Sequence, residues 1–400
     1  MDLVSEHPYW LMRNGIPFSY PSLQENISTD IAVIGSGISG TLVAHALIQA
    51  GLDVVQIDRR HAAMGSTVAS TSLLQYEIDI PMHRLAEKIG EQNAARSYQL
   101  CLEAIYQLQQ ICAQLPCEET FHLRKSLQHA SYKKDVASLQ REYKMRAKNG
   151  FDVEWLEEPE LSKHYGLIAP AAILSGDAGQ IDAYLFTHHL LQDCLKKGAR
   201  VFDNTLVTNI THHKKSVELS TDTGHTIKAR KLVMACGYES LLYIPERIAQ
   251  LYSTYALVTE PIPEDIIWRE RCLIWETATP YMYYRITDDN RILMGGKDDA
   301  FYNPDKRDAL VRKKAEQLEK TFRKRFPGID IRTDFRWAGT FATTEDGLPY
   351  IGQVTQMPHT YFALGFGGNG ITYSVVAADI IRDMITGTKN NDAALFRFYR

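Results

Sequence analysis

Several protein classes are excluded by what this 400-residue chain has little of. Its six cysteines (Cys101, Cys112, Cys117, Cys194, Cys236, Cys272) are too sparse for a disulfide framework, and no two are spaced as CxxC. That leaves no redox dithiol and no zinc knuckle, so no metal is expected and a reducing cytoplasm is the expected compartment. No apolar run approaches the roughly 18 residues of a spanning helix. The first residues, Met1 to Pro8, have neither the basic flank nor the apolar stretch of a signal peptide. Neither sign of charge dominates: 44 Lys+Arg stand against 48 Asp+Glu, a net charge of -4, which argues against a large cationic face for nucleic acid. With 45% hydrophobic and 23% charged residues the chain is of ordinary globular composition, long enough for two or three domains.

What is present begins at residue 29. Residues 29–34 (TDIAVI) form a β-branched run that predicts a buried parallel strand, and it feeds directly into Gly35-Ser36-Gly37-Ile38-Ser39-Gly40. Residues 41–50 are small and apolar, as suits a helix packed close on a sheet, and Gly51 ends them. A second strand follows at Val54–Ile57 and closes on Asp58, 23 residues after Gly35. Strand, GxGxxG, helix, strand and acid in that order predict a dinucleotide site. Gly35 permits the tight turn, Gly37 lets backbone approach a pyrophosphate, and Gly40 lets the helix press on the strand. The free N–H groups at the helix start hold the anion, while Asp58 accepts from ribose hydroxyls. NAD and FAD share this ADP half, so at this point both stay open.

Further along, residues 65–77 form a hydroxyl-rich loop that either donates to phosphate oxygens or is simply solvated. Residues 84–163 are largely of helical periodicity and read as an inserted helical segment. A helix over 182–197 is followed by short strands at 199–202, 205–210, 217–220 and 226–228, then a buried one at 231–235 ending in Cys236-Gly237. Residues 252–336 are aromatic and β-rich, interrupted by a charged helix at 305–323. Tyr281 and Tyr283 are among the aromatics that either line a pocket or fill a core. A second glycine-rich turn, Gly365-Phe366-Gly367-Gly368-Asn369-Gly370, opens an apolar helix over 371–385 and aims N–H groups at something electron-rich. The expected nucleotide domain is discontinuous, 1–83, 164–245 and 337–400, with 84–163 and 246–336 as a substrate or cap domain.

At these residues the sequence resembles the D-amino-acid oxidase family of FAD-dependent oxidoreductases, which includes glycine oxidase, sarcosine oxidase and γ-glutamylputrescine oxidoreductase. The carriers are the run from Asp30 to Gly40, Asp58-Arg59-Arg60 with Gly65-Ser66-Thr67, and Leu232-Val233-Met234-Ala235-Cys236-Gly237. To these the C-terminal third adds Trp337-Ala338-Gly339-Thr340, Asp346-Gly347-Leu348-Pro349-Tyr350-Ile351-Gly352 and the turn ending at Gly370. The resemblance implies an α/β fold, with a Rossmann-like FAD-binding domain, a second, mostly antiparallel β substrate domain and the inserted helical segment. It also implies FAD-contacting roles for Gly35, Ser36, Gly37, Ile38 and Gly40, for Asp58 and Arg59, for Ser66 and Thr67, and for Val207 and Gly237. Gly367, Gly368, Asn369, Gly370 and Ile371 would meet the flavin's pyrimidine edge, where N–H groups stabilise charge on reduction. The implied reaction oxidises a C–N bond of an amine or amino acid: hydride passes to flavin N5 and the imine hydrolyses. The amine must react neutral, which a desolvating aromatic pocket favours.

The sequence departs from sarcosine oxidase in three places. Residues 339–344 carry no thiol, so FAD is expected to be held noncovalently. Gln75 and Thr372 occupy the positions aligned with its carboxylate-gripping Arg and Lys, and neither forms a charge-assisted pair. Leu293 aligns with its oxygen-activating Lys, so the acceptor stays open between O2 and another carrier, with Lys297 as a substitute. Glycine and D-amino-acid oxidases use an Arg after an aromatic-rich strand, which Tyr281-Met282-Tyr283-Tyr284-Arg285 resembles, so the substrate-side candidates are Arg285 for a carboxylate, Tyr283 beside it, and Lys297; the alternatives are a structural ion pair for Arg285 and a solvated or Asp298- or Asp299-paired Lys297. Without Arg285 in the pocket, the expected substrate is an amine or N-alkyl compound lacking a free α-carboxylate. Two competing readings are an NAD-dependent dehydrogenase and a catalytically silent flavoprotein subunit of a larger complex. The oligomeric state does not follow from the chain.

Overall fold

The computed structural model describes every residue except Glu6, Glu118, Glu119 and Gly365. The β-branched run forms the strand Ile27–Ile34, held between two parallel neighbours, Val54–Ile57 and Thr226–Met234. Ile31 and Val33 enter one apolar cluster and Ala32 and Ile34 another, so alternation along the strand buries both faces. Thr360–Leu364 extends the parallel set beyond Thr226–Met234, with Tyr350–Gln353 antiparallel at that edge, and Arg200–Phe202 lies at the other. The hairpin of Val207–His212 and Val217–Thr221 pairs with Thr226–Met234. One core unites the helices Ile38–Gln49, Gly370–Thr386 and Glu91–Cys112 through Leu42, Leu47, Tyr373, Val376, Tyr98 and Ile105.

The second sheet runs in the order Thr333–Thr343, Gln250–Thr259, Ile292–Asp299, Tyr283–Ile286, Leu273–Glu276, His122–His129, Ala171–Gln180, Leu73–Leu74, with Val153–Glu157 on Ala171–Gln180. All its pairings are antiparallel except Leu273–Glu276 with His122–His129. The helix Pro304–Arg325 covers one face with Val311, Ala315, Leu318 and Phe322. Its start carries Pro304 and is capped by Asn303, whose side chain accepts from the Lys306 N–H at 2.9 Å. The fold is thus α/β, a Rossmann-like sheet joined to a mostly antiparallel one.

The segment 84–163 is mostly helical, yet it also holds the strands His122–His129 and Val153–Glu157. His122–His129 lies between two neighbours and ends in a continuous buried stretch without clean alternation, so periodicity gives no strand signal there.

Beneath the junction of the sheets lies a buried ionic cluster. Arg146 Nε donates to Glu142 at 2.8 Å, Nη1 to Glu77 at 3.4 Å and Nη2 to Gln128 at 2.7 Å. Glu142 in turn accepts the backbone N–H groups of Met82 and His83, each at 3.0 Å. Burial alone would raise the Glu142 pKa, but Arg146 and the donors of His83 pull it down to about 2. The cluster fixes segment 77–83, which carries Asp79 to the site.

Candidate functional site

Between the sheets lies a cavity of about 430 Å³ into which both glycine turns open. Gly35, Gly37 and Ile38 line it from the first turn, and Gly367, Gly368, Gly370 and Ile371 from the second. Gly365 lies outside the described residues. Ser39 and Ser374, near the starts of the helices Ile38–Gln49 and Gly370–Thr386, share a hydrogen bond at 2.7 Å, which ties the two turns together. Gly35 has φ +111°, and a Cβ there would overlap the Ala235 carbonyl. Only glycine fits that close approach.

Asp58, Arg59, Ser66, Thr67, Val207 and Gly237 line the same cavity. Asp58 Oδ2 accepts from the Ser36 N–H at 2.8 Å and its hydroxyl at 3.1 Å, and Oδ1 accepts from the Arg60 N–H at 2.9 Å. Burial raises the Asp58 pKa, and these donors oppose it. Arg59 is paired with Glu239. Thr67 Oγ1 accepts from the Ile38 N–H at 3.0 Å, and Ser66 Oγ is buried without a partner. An orphaned hydroxyl beside a side-chain-free turn at a helix start fits a pyrophosphate. Ser36, Gly40 and Asn369 stand behind the lining. Ser36 holds Asp58, Gly40 lies where a Cβ would overlap the Gly35 carbonyl, and Asn369 Nδ2 donates to the carbonyls of Gln75 and Glu77 at 3.0 and 2.8 Å.

The opposite end is walled by the antiparallel sheet. Tyr283 faces Gly295 across the strands, and a Cβ on Gly295 would overlap its hydroxyl, so the ring lies flat there and lines the cavity. Burial pushes the Tyr283 phenol up to about 12. Two aspartates, unforeseen as site residues, stand at this end. Asp79 Oδ1 accepts from the Tyr281 hydroxyl at 3.0 Å and Oδ2 from the Gly368 N–H at 2.9 Å, joining the second turn to the sheet. Burial raises its pKa. Asp298 lines the cavity through a β-bulge: Ser253 pairs with Asp299 and Tyr255 with Gly296, so two residues, Lys297 and Asp298, stand opposite Thr254. Gly296 at φ +132° and Lys297 at φ +59° make the kink that re-aims Asp298. The double glycine Gly295-Gly296 is the one sequence signal for that bulge.

Two expectations are corrected by this geometry. Arg285 is buried and does not line the cavity: its Nη1 donates to the carbonyls of Thr71, Ser72 and Ile181 at 3.0, 2.9 and 3.0 Å, and the guanidinium lies over Trp10. Lys297 does not line it either; the bulge gives that direction to Asp298, and the Lys297 carbonyl accepts from Lys314 Nζ at 2.7 Å. Leu293 is packed with Trp10 and Trp337, and Thr372 Oγ1 donates to the Asn369 carbonyl. Among the described residues lining the cavity, the cations are Arg59 and Arg60, both next to Asp58 in the chain.

A cavity onto which two glycine turns open, set between a Rossmann-like sheet and a mostly antiparallel one, has the architecture of a dinucleotide-binding fold. The chain belongs to the FAD dependent oxidoreductase (DAO) family, whose model matches residues 30–384. The family binds FAD, which sets aside the NAD reading. The chain is 21% identical over 404 residues to a probable oxidoreductase OrdL of Haemophilus influenzae, covering 95% of this chain and 88% of that one. It is 26% identical over 385 residues to gamma-glutamylputrescine oxidoreductase of Escherichia coli, covering 92% and 86%. Among solved structures, L-proline dehydrogenase from P. horikoshii superposes with a TM-score of 0.77 at 20% identity, over 94% of this chain and 97% of that one. Among the described residues no helix is long and apolar enough to cross a membrane.

Proposed function

We propose that this FAD-dependent oxidoreductase oxidises the C–N bond of an amine that carries no free α-carboxylate, giving an imine that hydrolyses. The observation that carries the reading is the cavity's sheet end, where Tyr281, Tyr283 and Asp298 stand and no described lining residue is a cation. A carboxylate there would be desolvated without a partner, which is costly.

Bound noncovalently, FAD would supply the hydride acceptor. The chain's own residues do the rest. Gly35, Gly37, Ile38, Ser66 and Thr67 would hold the pyrophosphate, and Asp58 the ribose. Gly367, Gly368 and Ile371 would meet the flavin's pyrimidine edge, their turn fixed by Asp79 and Asn369. Tyr283 presents a flat apolar surface that excludes water from the reacting carbon. The acceptor of the electrons, O2 or another carrier, is outside this reading, since Lys297 does not face the cavity.

The test is an anaerobic screen of amines and amino acids against the purified yellow protein. Bleaching of the flavin bands by amines and not by α-amino acids supports the reading; preference for α-amino acids overturns it. Reduction by dithionite with no response to any amine would favour the silent-subunit alternative.

A further inference from the structure

We infer that Asp298 is the residue that receives the ammonium group of a cationic amine substrate, which makes it the determinant of substrate charge. The inference rests on the amine-oxidation reading above. Asp298 lines the cavity beside Tyr283, and its Oδ1 is buried with no hydrogen-bond partner. A buried carboxylate oxygen left unpaired is expensive, so an unpaired one on a residue that lines a cavity marks a place where a donor is missing. The backbone goes to some length to put it there. The bulge at Gly296 and Lys297 holds a non-glycine residue at positive φ, and glycine is required at 296 because a Cβ would overlap the Tyr281 carbonyl. Strain of this kind persists where the surroundings impose it.

The neighbouring charges leave Asp298 available. Lys314 is taken by Asp299 at 2.7 Å, and Asp299 also accepts the Tyr255 hydroxyl at 3.0 Å. Asp79 is occupied by Tyr281 and the Gly368 N–H. Asp298 is thus the carboxylate at this end that retains an open acceptor, and the tyrosine faces around it suit a cation. Most alkylamines are ammonium ions in water, whereas the reacting amine must be neutral. An ammonium docked on Asp298 resolves this within the pair: one N–H bond breaks, an O–H bond forms on the carboxylate, and both charges vanish together in an apolar surround. No other reactant is needed.

The experiment uses the flavin-loaded protein and three probes of one shape: tert-butylammonium, which has no hydrogen on the carbon next to nitrogen and cannot be oxidised there, tert-butanol and pivalate. Binding is read from perturbation of the flavin bands and by calorimetry. Tert-butylammonium should bind in preference to both others, and Asp298→Asn should weaken it roughly 10- to 100-fold while Asp298→Glu retains most of the affinity. Pivalate binding as well as tert-butylammonium, no ammonium binding by either method, or unchanged ammonium affinity in Asp298→Asn overturns the inference. Should Asp298→Asn not accumulate, the three-probe comparison on the wild type decides alone. A protein that takes up no flavin, or oxidises no amine, fails the functional reading instead, because ammonium preference is measured by calorimetry without turnover.

Discussion

The guanidinium of Arg285 lies 5.3 Å from the ring centroid of Trp10, with its Nη1 bound to three backbone carbonyls. Those carbonyls belong to Thr71 and Ser72 at the cavity wall and to Ile181, so Arg285 clamps the wall from behind. Burial lowers its pKa to about 10, which still leaves it charged at neutral pH. Arg285→Met should therefore cost about 2 to 4 kcal/mol in stability by leaving acceptors unpaired. Denaturant midpoints check this. In the folded fraction, the KM for the best amine should change little; a large rise in KM for carboxylate-bearing substrates alone would restore Arg285 to the substrate site.

Asp58→Ala should weaken FAD binding roughly 10- to 100-fold through loss of charge-assisted acceptors for the ribose. Fluorescence titration of apoprotein with FAD measures it. The same variant also frees the N–H groups of Ser36 and Arg60, so circular dichroism should accompany the titration.

The buried pair of Glu142 and Arg146 yields an acid-stability prediction. A carboxyl held at about 2 against an ordinary 4.5 favours the folded protein above pH 4.5, and that contribution is lost as pH falls from 4.5 towards 2. Glu142→Gln should destabilise the protein at pH 7 by about 3 to 5 kcal/mol, because it strands Arg146 in the interior. The difference between variant and wild type should shrink as the pH is lowered through that window, as followed by thermal unfolding.

Asp298 has the opposite sign. Burial raises its pKa to about 6, the Thr254 hydroxyl and Lys314 working against that and the charges of Asp79 and Asp299 with it. The folded state then binds the proton more tightly than the unfolded one, so the carboxyl lowers stability as pH rises from about 3.8 to about 6, and the cost persists above that. In the absence of amine, Asp298→Asn should raise the melting temperature at pH 7 to 8, with no gain below pH 4. A variant less stable than wild type at pH 8 would contradict this.

Much of the nucleotide half was legible because its chemistry is local. Gly35, Gly37 and Asp58 lie on one strand–turn–helix–strand unit whose steric and hydrogen-bonding demands are met within about thirty residues, the span of a βαβ unit. The second turn at Gly367 was legible for the same reason. The substrate end was not: Arg285 follows an aromatic strand, which suits a substrate anchor, yet a guanidinium also satisfies a turn's carbonyls, and sequence does not say which acceptors lie within reach. Lys297 and Asp298 are adjacent in sequence, and a single bulge decides which of them faces the cavity.

By itself, then, the order of residues determined an α/β fold with a Rossmann-like half and its family, since backbone conformation and short-range hydrogen bonding are written in neighbouring residues. Only the tertiary structure decided that Asp79 joins Tyr281 to Gly368, that Arg285 is spent behind the wall and that Asp298 keeps a buried, unpaired oxygen at the far end. Those choices depend on register between strands far apart in the chain, where a shift of one residue turns a side chain from one face of a sheet to the other.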